Sequence, residues 1–252
     1  MEERVLITGG NGFVGKNLRL LYPDADILDS PSDICLNLPD KPYTRIFHLA
    51  SKNHIPSCEA DAEECIRVNC WGTINLIKCY PNARILAASS CLSSQIKSVY
   101  GATKAFVEFV HSLHKNYLAV KLYNIFGEHQ HLENGAFTPK IIHHMLTKKP
   151  LSIYGDGTQF RDFTYVGDVV NNLKDLMDSD LRGVTHLGHG EPIMLNQYIE
   201  MIYGYMPEIE YLPLKDTDIL WSKAPTPCRK WYGREEGLRR TIEWFKNEYH
   251  LA

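Results

Sequence analysis

Short apolar runs alternate with stretches of helical period through the first half of the chain. Val5-Leu6-Ile7 is β-branched at two of its three positions, as suits a strand buried on both faces. Glycines at 9, 10, 12 and 15 follow, and Lys16 to Leu21 reads as helix. Residues 25–29, 45–51, 84–88 and 118–124 predict further strands. Between the third and fourth, Cys65, Ile66, Asn69, Cys70, Thr73, Leu76 and Ile77 fall on helical spacing within residues 62–80, and Pro81 ends that helix. Another helix opens at Ser98 and runs to about Lys115. Strands and helices in this rhythm predict βαβ units around a parallel sheet, an α/β fold.

The second half changes character. A loop carrying Phe126-Gly127 and Asn134-Gly135 precedes a helix over 139–148. Residues 151–154, the turn Gly155-Asp156-Gly157 and residues 158–166 predict a β-hairpin. A helix over 168–177, a short strand over 183–188 and, beyond a proline-containing stretch, an amphipathic helix over 235–247 complete the chain. We expect a first domain over 1–125 and a smaller α+β part over 126–252, with the helix near 168–178 returning to the first.

The glycine turn gives the first chemistry. Strand, glycine turn, helix is the order a dinucleotide phosphate site needs. Gly9 permits the sharp turn, Gly12 the approach of a pyrophosphate, and Gly15 close packing of helix on strand. The helix N-terminus then offers N–H groups to the anion. Asp29, twenty positions after Gly9, stands where such a fold places the acid that accepts from the adenine ribose 2′-OH, with Asp24, Asp26 and Asp33 close by. A carboxylate there repels a 2′-phosphate, so NAD is favoured over NADP.

Charge and cysteine content narrow the classes. The 252 residues carry a net charge of −3, which gives no basic stripe for nucleic acid. No apolar run approaches the ~18 residues of a membrane span. Met1 to Arg4 lead straight into the first strand and leave no room for a signal peptide. Seven cysteines, an odd number without a C-x-x-C pair, favour free thiols in the cytoplasm over disulfides or zinc. The histidines lack partners at metal-ligand spacing, so no metal is expected. Tyr100 and Lys104, four apart, share a helix face behind the serine-bearing strand end at Ser89-Ser90-Cys91. That helix also carries Ala105, Phe106, Val107, Phe109, Val110 and Leu113, an apolar surface wider than one sheet contact requires, and half of it is available to a second subunit.

With these pieces in order, the sequence resembles the extended short-chain dehydrogenase/reductase family, in its nucleotide-sugar epimerase/dehydratase branch. The likeness is carried by TGGNGFVG at 8–15, Asp29, FHLAS at 47–51, Asn69 with Gly72-Thr73, SSC at 89–91, YGATK at 100–104, Asn124 with Phe126-Gly127, and GDGTQFRDFTYVGD at 155–168. GVTHLGHGEPIMLNQ at 183–197 continues it, and it fades after about residue 200.

The resemblance implies a Rossmann-type doubly wound parallel sheet binding NAD, with a smaller carboxy-terminal part for a sugar nucleotide. It implies cofactor contacts from Thr8, Gly9, Gly12, Phe13, Val14, Gly15, Asp29, Leu49, Ala50, Ser51, Asn69, Tyr100 and Lys104. Tyr100 is then the general acid/base, and Lys104 binds the nicotinamide ribose and depresses the tyrosine pKa. Bringing a phenol from about 10 to about 7 takes roughly 4 kcal/mol, which an ammonium and the positive nicotinamide can share. Ser89 matches the catalytic serine, with Ser90 the alternative one register over. Cys91, Asn124 and Arg161 fall to the substrate, the arginine facing its diphosphate. A homodimer through the helices at 62–80 and 100–115 is implied as well.

Departures from the family pattern shape the functional expectation. Ser89 and Tyr100 are eleven apart, a span trimmed relative to the family. The Asp-Glu pair that dehydratases carry after the serine or threonine is replaced by Ser90 and Cys91. Elimination of water is therefore disfavoured, and an NAD-dependent epimerase acting at C4 is expected. Ser89-Ser90-Cys91 also resembles GDP-fucose synthase, which keeps open a 4-reductase or a 3,5-epimerase/4-reductase using NAD(P)H. That enzyme's histidine falls near Ala136, with His143 and His144 close by as substitutes. A non-catalytic NAD-binding module is the reading from another class.

Overall fold

The computed structural model describes residues 3–29, 31–132, 135–216 and 218–251. Asn134, assigned to a loop above, and the side chain of Asp33 lie outside the described residues. The chain divides into two compact units, Met1–Leu122 with Val170–His186, and Tyr123–Val169 with Leu187–Ala252.

In the first unit, β1 (Val5–Thr8), α1 (Phe13–Arg19), β2 (Asp26–Leu28), α2 (Pro31–Leu36) and β3 (Arg45–His48) come first. Next are α3 (Ile55–Ala60), α4 (Ala62–Ile66), α5 (Gly72–Cys79), β4 (Arg84–Ser90), α6 (Val99–Phe109) and β5 (Tyr117–Leu122). The β1–β2, β1–β3, β3–β4 and β4–β5 pairings are all parallel. A later strand, Gly183–Leu187, lies outside β5 in this six-stranded sheet.

The order β2-β1-β3-β4-β5 reverses at β1. Among the described residues it lacks the further strand that the 3-2-1-4-5-6 arrangement places outside the second, since α2 is the element described between β2 and β3. The topological switch point lies between β1 and β3, so the carboxyl ends of these two strands form the crevice where such sheets take ligands.

One sheet face buries Leu6, Ile46, Ile85, Tyr117 and Ala119 against Leu76 of α5 and Val107 of α6, with Val110 just beyond. Tyr117 is fully buried and satisfies its hydroxyl on the Val107 carbonyl at 2.9 Å, fixing α6 over the sheet. The helix expected over 62–80 is interrupted by a π-helical turn, Arg67–Trp71, between α4 and α5. Asn69 sits in that turn, and its side-chain bonds, described below, give the distortion its purchase.

The second unit holds β6 (Ile125–Phe126), α7 (Phe137–Thr147), β7 (Leu151–Tyr154), β8 (Phe160–Arg161) and β9 (Thr164–Tyr165). After α8 (Val166–Asp178) and β10, the strand Gly183–Leu187, come β11 (Ile193–Met194), α9 (Leu195–Tyr203), β12 (Ile209–Leu212) and α10 (Gly233–Glu248).

The expected hairpin over 151–166 does not form. Asp156 does make the turn, accepting from Thr158 N–H and hydroxyl at 3.0 and 2.6 Å. However, β7 pairs in parallel with β12, and β8 pairs antiparallel with β11. Positive φ at both Gly155 and Gly157 carries the chain away from β7 before a ladder can close.

Both aspartates of the RDFTYVGD stretch work on the backbone. Asp162 accepts from Gly190 and Ala224 N–H at 3.0 and 2.7 Å. Asp168 accepts from Trp231, Tyr232 and Gly233 at 2.7, 3.0 and 3.0 Å, supplying the side-chain cap that Tyr232, the N-cap of α10, does not make.

Candidate active site

The glycine turn is built around one carbonyl. Gly9 has a φ of 72°, and its N–H donates to Leu28 O at 2.7 Å. Gly12 N–H then donates to Gly9 O at 3.1 Å. A Cβ on Gly9 would stand 2.7 Å from Ala50 N, and one on Gly15 only 2.2 Å from Gly9 O, so these positions admit no side chain. Gly12 is the N-cap of α1 and places no side chain over the N–H groups of the first turn, which includes Phe13 and Val14. Asp29 lies exposed beside this turn and accepts from Asn11 N–H at 2.9 Å, while Arg19 donates to Asn11 Oδ1 at 2.8 Å. A cradle that only glycine fits, at a helix N-terminus with a carboxylate after β2, matches what NAD requires.

Across the switch point, Leu49 N–H donates to Thr8 O at 3.1 Å, and Ala50 N–H to Thr8 Oγ1 at 3.2 Å. His48 is buried between two hydroxyls, with Nδ1 2.9 Å from Thr8 Oγ1 and Nε2 2.9 Å from Thr73 Oγ1. Thr73 spends its proton on Asn69 O at 2.6 Å, so Nε2 carries the histidine proton and Nδ1 accepts from Thr8. Burial, and secondarily Lys104, pulls His48 down to about 3, which keeps it neutral. His48 therefore bonds the two sides of the crevice together, a role beyond packing. Asn69 clamps the loop after β3: it accepts from Lys52 N at 2.8 Å and donates to Lys52 O and Thr103 Oγ1, each at 2.9 Å. Ser51 Oγ donates to the same Lys52 carbonyl at 3.2 Å.

The strand β4 runs through both serines, so they point to opposite sides. Ser89 Oγ donates to Glu108 Oε1 at 2.6 Å. Ser90 is the one that is hydrogen-bonded to Tyr100, and it also accepts from Leu92 N at 3.2 Å. The structure thus brings Ser90 rather than Ser89 to the phenol. Cys91 opens the short 3₁₀ turn Cys91–Ser94, and its sulfur is among the groups that act on Tyr100.

Ser98 caps α6 by accepting from Gly101 N at 3.0 Å, which sets Tyr100 in the first turn and Lys104 one turn on. Burial pushes the Tyr100 phenol well above its ordinary range. The Ser90 hydrogen bond opposes that shift, and Cys91, Cys58 and Cys65 add to it. Lys104 Nζ donates to Ala88 O at 2.8 Å and lies 5.7 Å from the Tyr100 ring centroid. Burial lowers this ammonium to about 8. Lys104 is therefore seated under the strand end rather than paired with the phenol oxygen.

Asn124 and Arg161 belong to the second unit. Asn124 Oδ1 accepts from Ser222 Oγ at 3.2 Å, and Arg161 Nη1 donates to Phe160 O at 3.0 Å. Among the described residues, no group of three or more His, Cys, Asp or Glu could hold a metal ion. Sequence reasoning missed Glu108 and Lys121, and it placed Thr73 in the family likeness without giving it a role. The signal for Glu108 was its position at i+4 from Lys104, a lone carboxylate inside the apolar run AFVEFV.

The model of the NAD dependent epimerase/dehydratase family matches residues 23–185. UDP-glucuronic acid decarboxylase 1 of Danio rerio is 24% identical over 98% of this chain and 73% of its own length. UDP-glucuronate 4-epimerase of Thermodesulfobacterium geofontis is 27% identical over 82% of this chain and 73% of its own. A solved structure, UDP-N-acetylglucosamine 4-epimerase from Methanobrevibacter ruminantium in complex with UDP-N-acetylmuramic acid, superposes with a TM-score of 0.85 at 23% identity. That superposition covers 98% of this chain and 100% of the other, and speaks for the fold.

Proposed function

This chain belongs to the NAD dependent epimerase/dehydratase family, and we propose that it interconverts a nucleotide sugar with its C4 epimer. One observation carries the reading. The Ser90–Tyr100 pair stands at the carboxyl end of β4, the strand next to β3, and the turn after it, Cys91-Leu92-Ser93, holds no carboxylate. Removing water from a sugar takes a further acid and base, and this turn supplies neither.

Bound NAD supplies a reversible hydride acceptor. Tyr100 Oη takes the proton of the C4 hydroxyl and returns it after the ketone has turned over. Ser90 Oγ holds the reacting oxygen beside the phenol. Lys104, anchored on Ala88 O, keeps a positive charge beneath that pair and reaches the nicotinamide ribose. Asn124 and the Arg161 guanidinium bind the sugar nucleotide, the latter at its diphosphate. The 4-epimerase among the relatives supports this reaction, while the decarboxylase makes loss of CO₂ the outcome to test against.

Purified protein incubated with UDP-glucose, UDP-glucuronate and UDP-N-acetylglucosamine, followed by NMR, is expected to equilibrate one of them with its C4 epimer. Absorbance at the NADH band should show no net change. Stoichiometric NAD(P)H oxidation would move the assignment to a 4-reductase, and CO₂ release to a decarboxylase.

The dimer expected from the sequence is part of this proposal. Ile66 and Trp71, in and just after α4, and Phe109 and Leu113, at the end of α6 and just after it, each stand more than half exposed. A dimeric mass by sedimentation at micromolar concentration is expected, falling to monomer in Trp71→Glu with Phe109→Glu. A monomeric parent protein would refute it. A cytoplasmic location agrees with seven free thiols. Among the described residues no helix is long and apolar enough to cross a membrane.

A further inference from the structure

Glu108 lies one turn beyond Lys104 on α6. Its Oε1 accepts from Ser89 Oγ at 2.6 Å and from Ser93 Oγ. Ser93 Oγ is also 2.7 Å from the Ser90 carbonyl. Its Oε2 pairs with Lys121 Nζ of β5 at 3.2 Å, and that ammonium donates to Ser94 Oγ at 2.7 Å. Both charged side chains are largely buried. His186 of β10 faces the same pair, and Tyr117 of β5 lies close enough to feel the carboxylate.

One carboxylate and its lysine therefore grip residues 89, 93 and 94, on both sides of Ser90. The turn they hold is seated directly on α6, since a Cβ at Gly101 would come within 3.0 Å of Leu92 O.

We infer that Glu108 is the positioning residue of the Ser90–Tyr100 pair, acting as a shared hydrogen-bond acceptor that locks the Ser90 turn onto the helix carrying the phenol. This rests on the reading of Ser90 and Tyr100 as the reacting pair. It predicts that loss of the acceptor loosens Ser90 and raises the pH at which Tyr100 ionises. The groups facing that phenol are Ser90, the thiols of Cys91, Cys58 and Cys65, and Lys104 under the strand.

Removing Glu108 alone strands the Lys121 charge, so the test compares two double variants that both remove the ion pair. Glu108→Gln with Lys121→Met keeps an amide oxygen for the two serines. Glu108→Met with Lys121→Met does not. The Tyr100 midpoint is read in NAD-loaded protein as the ultraviolet titration difference between each protein and its Tyr100→Phe counterpart, a measurement that needs no turnover.

The Met/Met variant is expected to titrate about one pH unit higher, and the Gln/Met variant within a few tenths of the parent. With a turned-over substrate, kcat of Met/Met falls roughly tenfold while KM changes little. If the two variants titrate alike, the inference is overturned. Inactivity of the parent on every nucleotide sugar would instead remove the proposed reaction and leave the titration result standing.

Discussion

A Tyr100→Phe variant is expected to turn over its nucleotide sugar roughly 10²–10⁴-fold more slowly than the parent, with fold and NAD content intact. Phenylalanine keeps the ring that packs in the first turn of α6 and deletes only the oxygen that meets Ser90. That oxygen is a poor base in its own surroundings. Burial and three nearby thiols hold the phenol in its protonated form, and the Ser90 hydrogen bond pulls the other way. The Lys104 ammonium is committed to Ala88 O. Bringing this phenol to neutral pH takes more than the roughly 4 kcal/mol that an unperturbed one needs, and that must then come largely from the positive charge of bound nicotinamide. Steady-state rates, circular dichroism and NAD content check this together. An unchanged rate in the Phe variant would refute Tyr100 as the acid/base, and a parent that binds NAD but turns over no nucleotide sugar would leave the binding-module reading.

What could be read from the chain beforehand divides along local and distant lines. The β1–glycine–α1 unit was legible because each part is specified within a dozen residues: apolar run, glycines, helix. The Gly155-Asp156-Gly157 turn was equally legible, yet the hairpin inferred from it was not there. Its first strand takes its partner from Ile209–Leu212, far along the chain. Turn chemistry does not reveal which strand edge is already occupied.

The choice between Ser89 and Ser90 depends on where β4 stops, since one residue of register exchanges the two faces. Composition carries no trace of that boundary. His48 was legible only as part of the FHLAS stretch, and its two hydroxyl partners come from β1 and α5, on different elements. The abbreviated β2–α2–β3 half lacks a strand among the described residues, which leaves no residues to read.

Substituting Gly15 with alanine is expected to remove both tight NAD binding and part of the fold's stability, whereas Gly12→Ala should remove only the binding. The difference follows from where each new methyl would point. At Gly15 it would stand 2.2 Å from Gly9 O and 2.7 Å from Gly10 Cα, both backbone atoms of the turn itself. The helix can only back away from β1, and overpacking of this kind costs about 1–3 kcal/mol. Gly9 is already held at φ 72° by its bond to Leu28 O, so the turn has little room to yield. At Gly12 the nearest atom is Gly9 O at 3.2 Å, which a shift of a few tenths of an ångström relieves. That methyl would instead face the space over the α1 N–H groups, where a pyrophosphate must approach. Thermal melts of the two variants beside NAD titrations separate the effects. We expect a lowered Tm only for Gly15→Ala, and NAD affinity reduced roughly tenfold to a hundredfold in both. Parent-like NAD affinity in Gly12→Ala would mean that the cofactor phosphates do not lie over this turn, and the placement of the whole site would have to move with them.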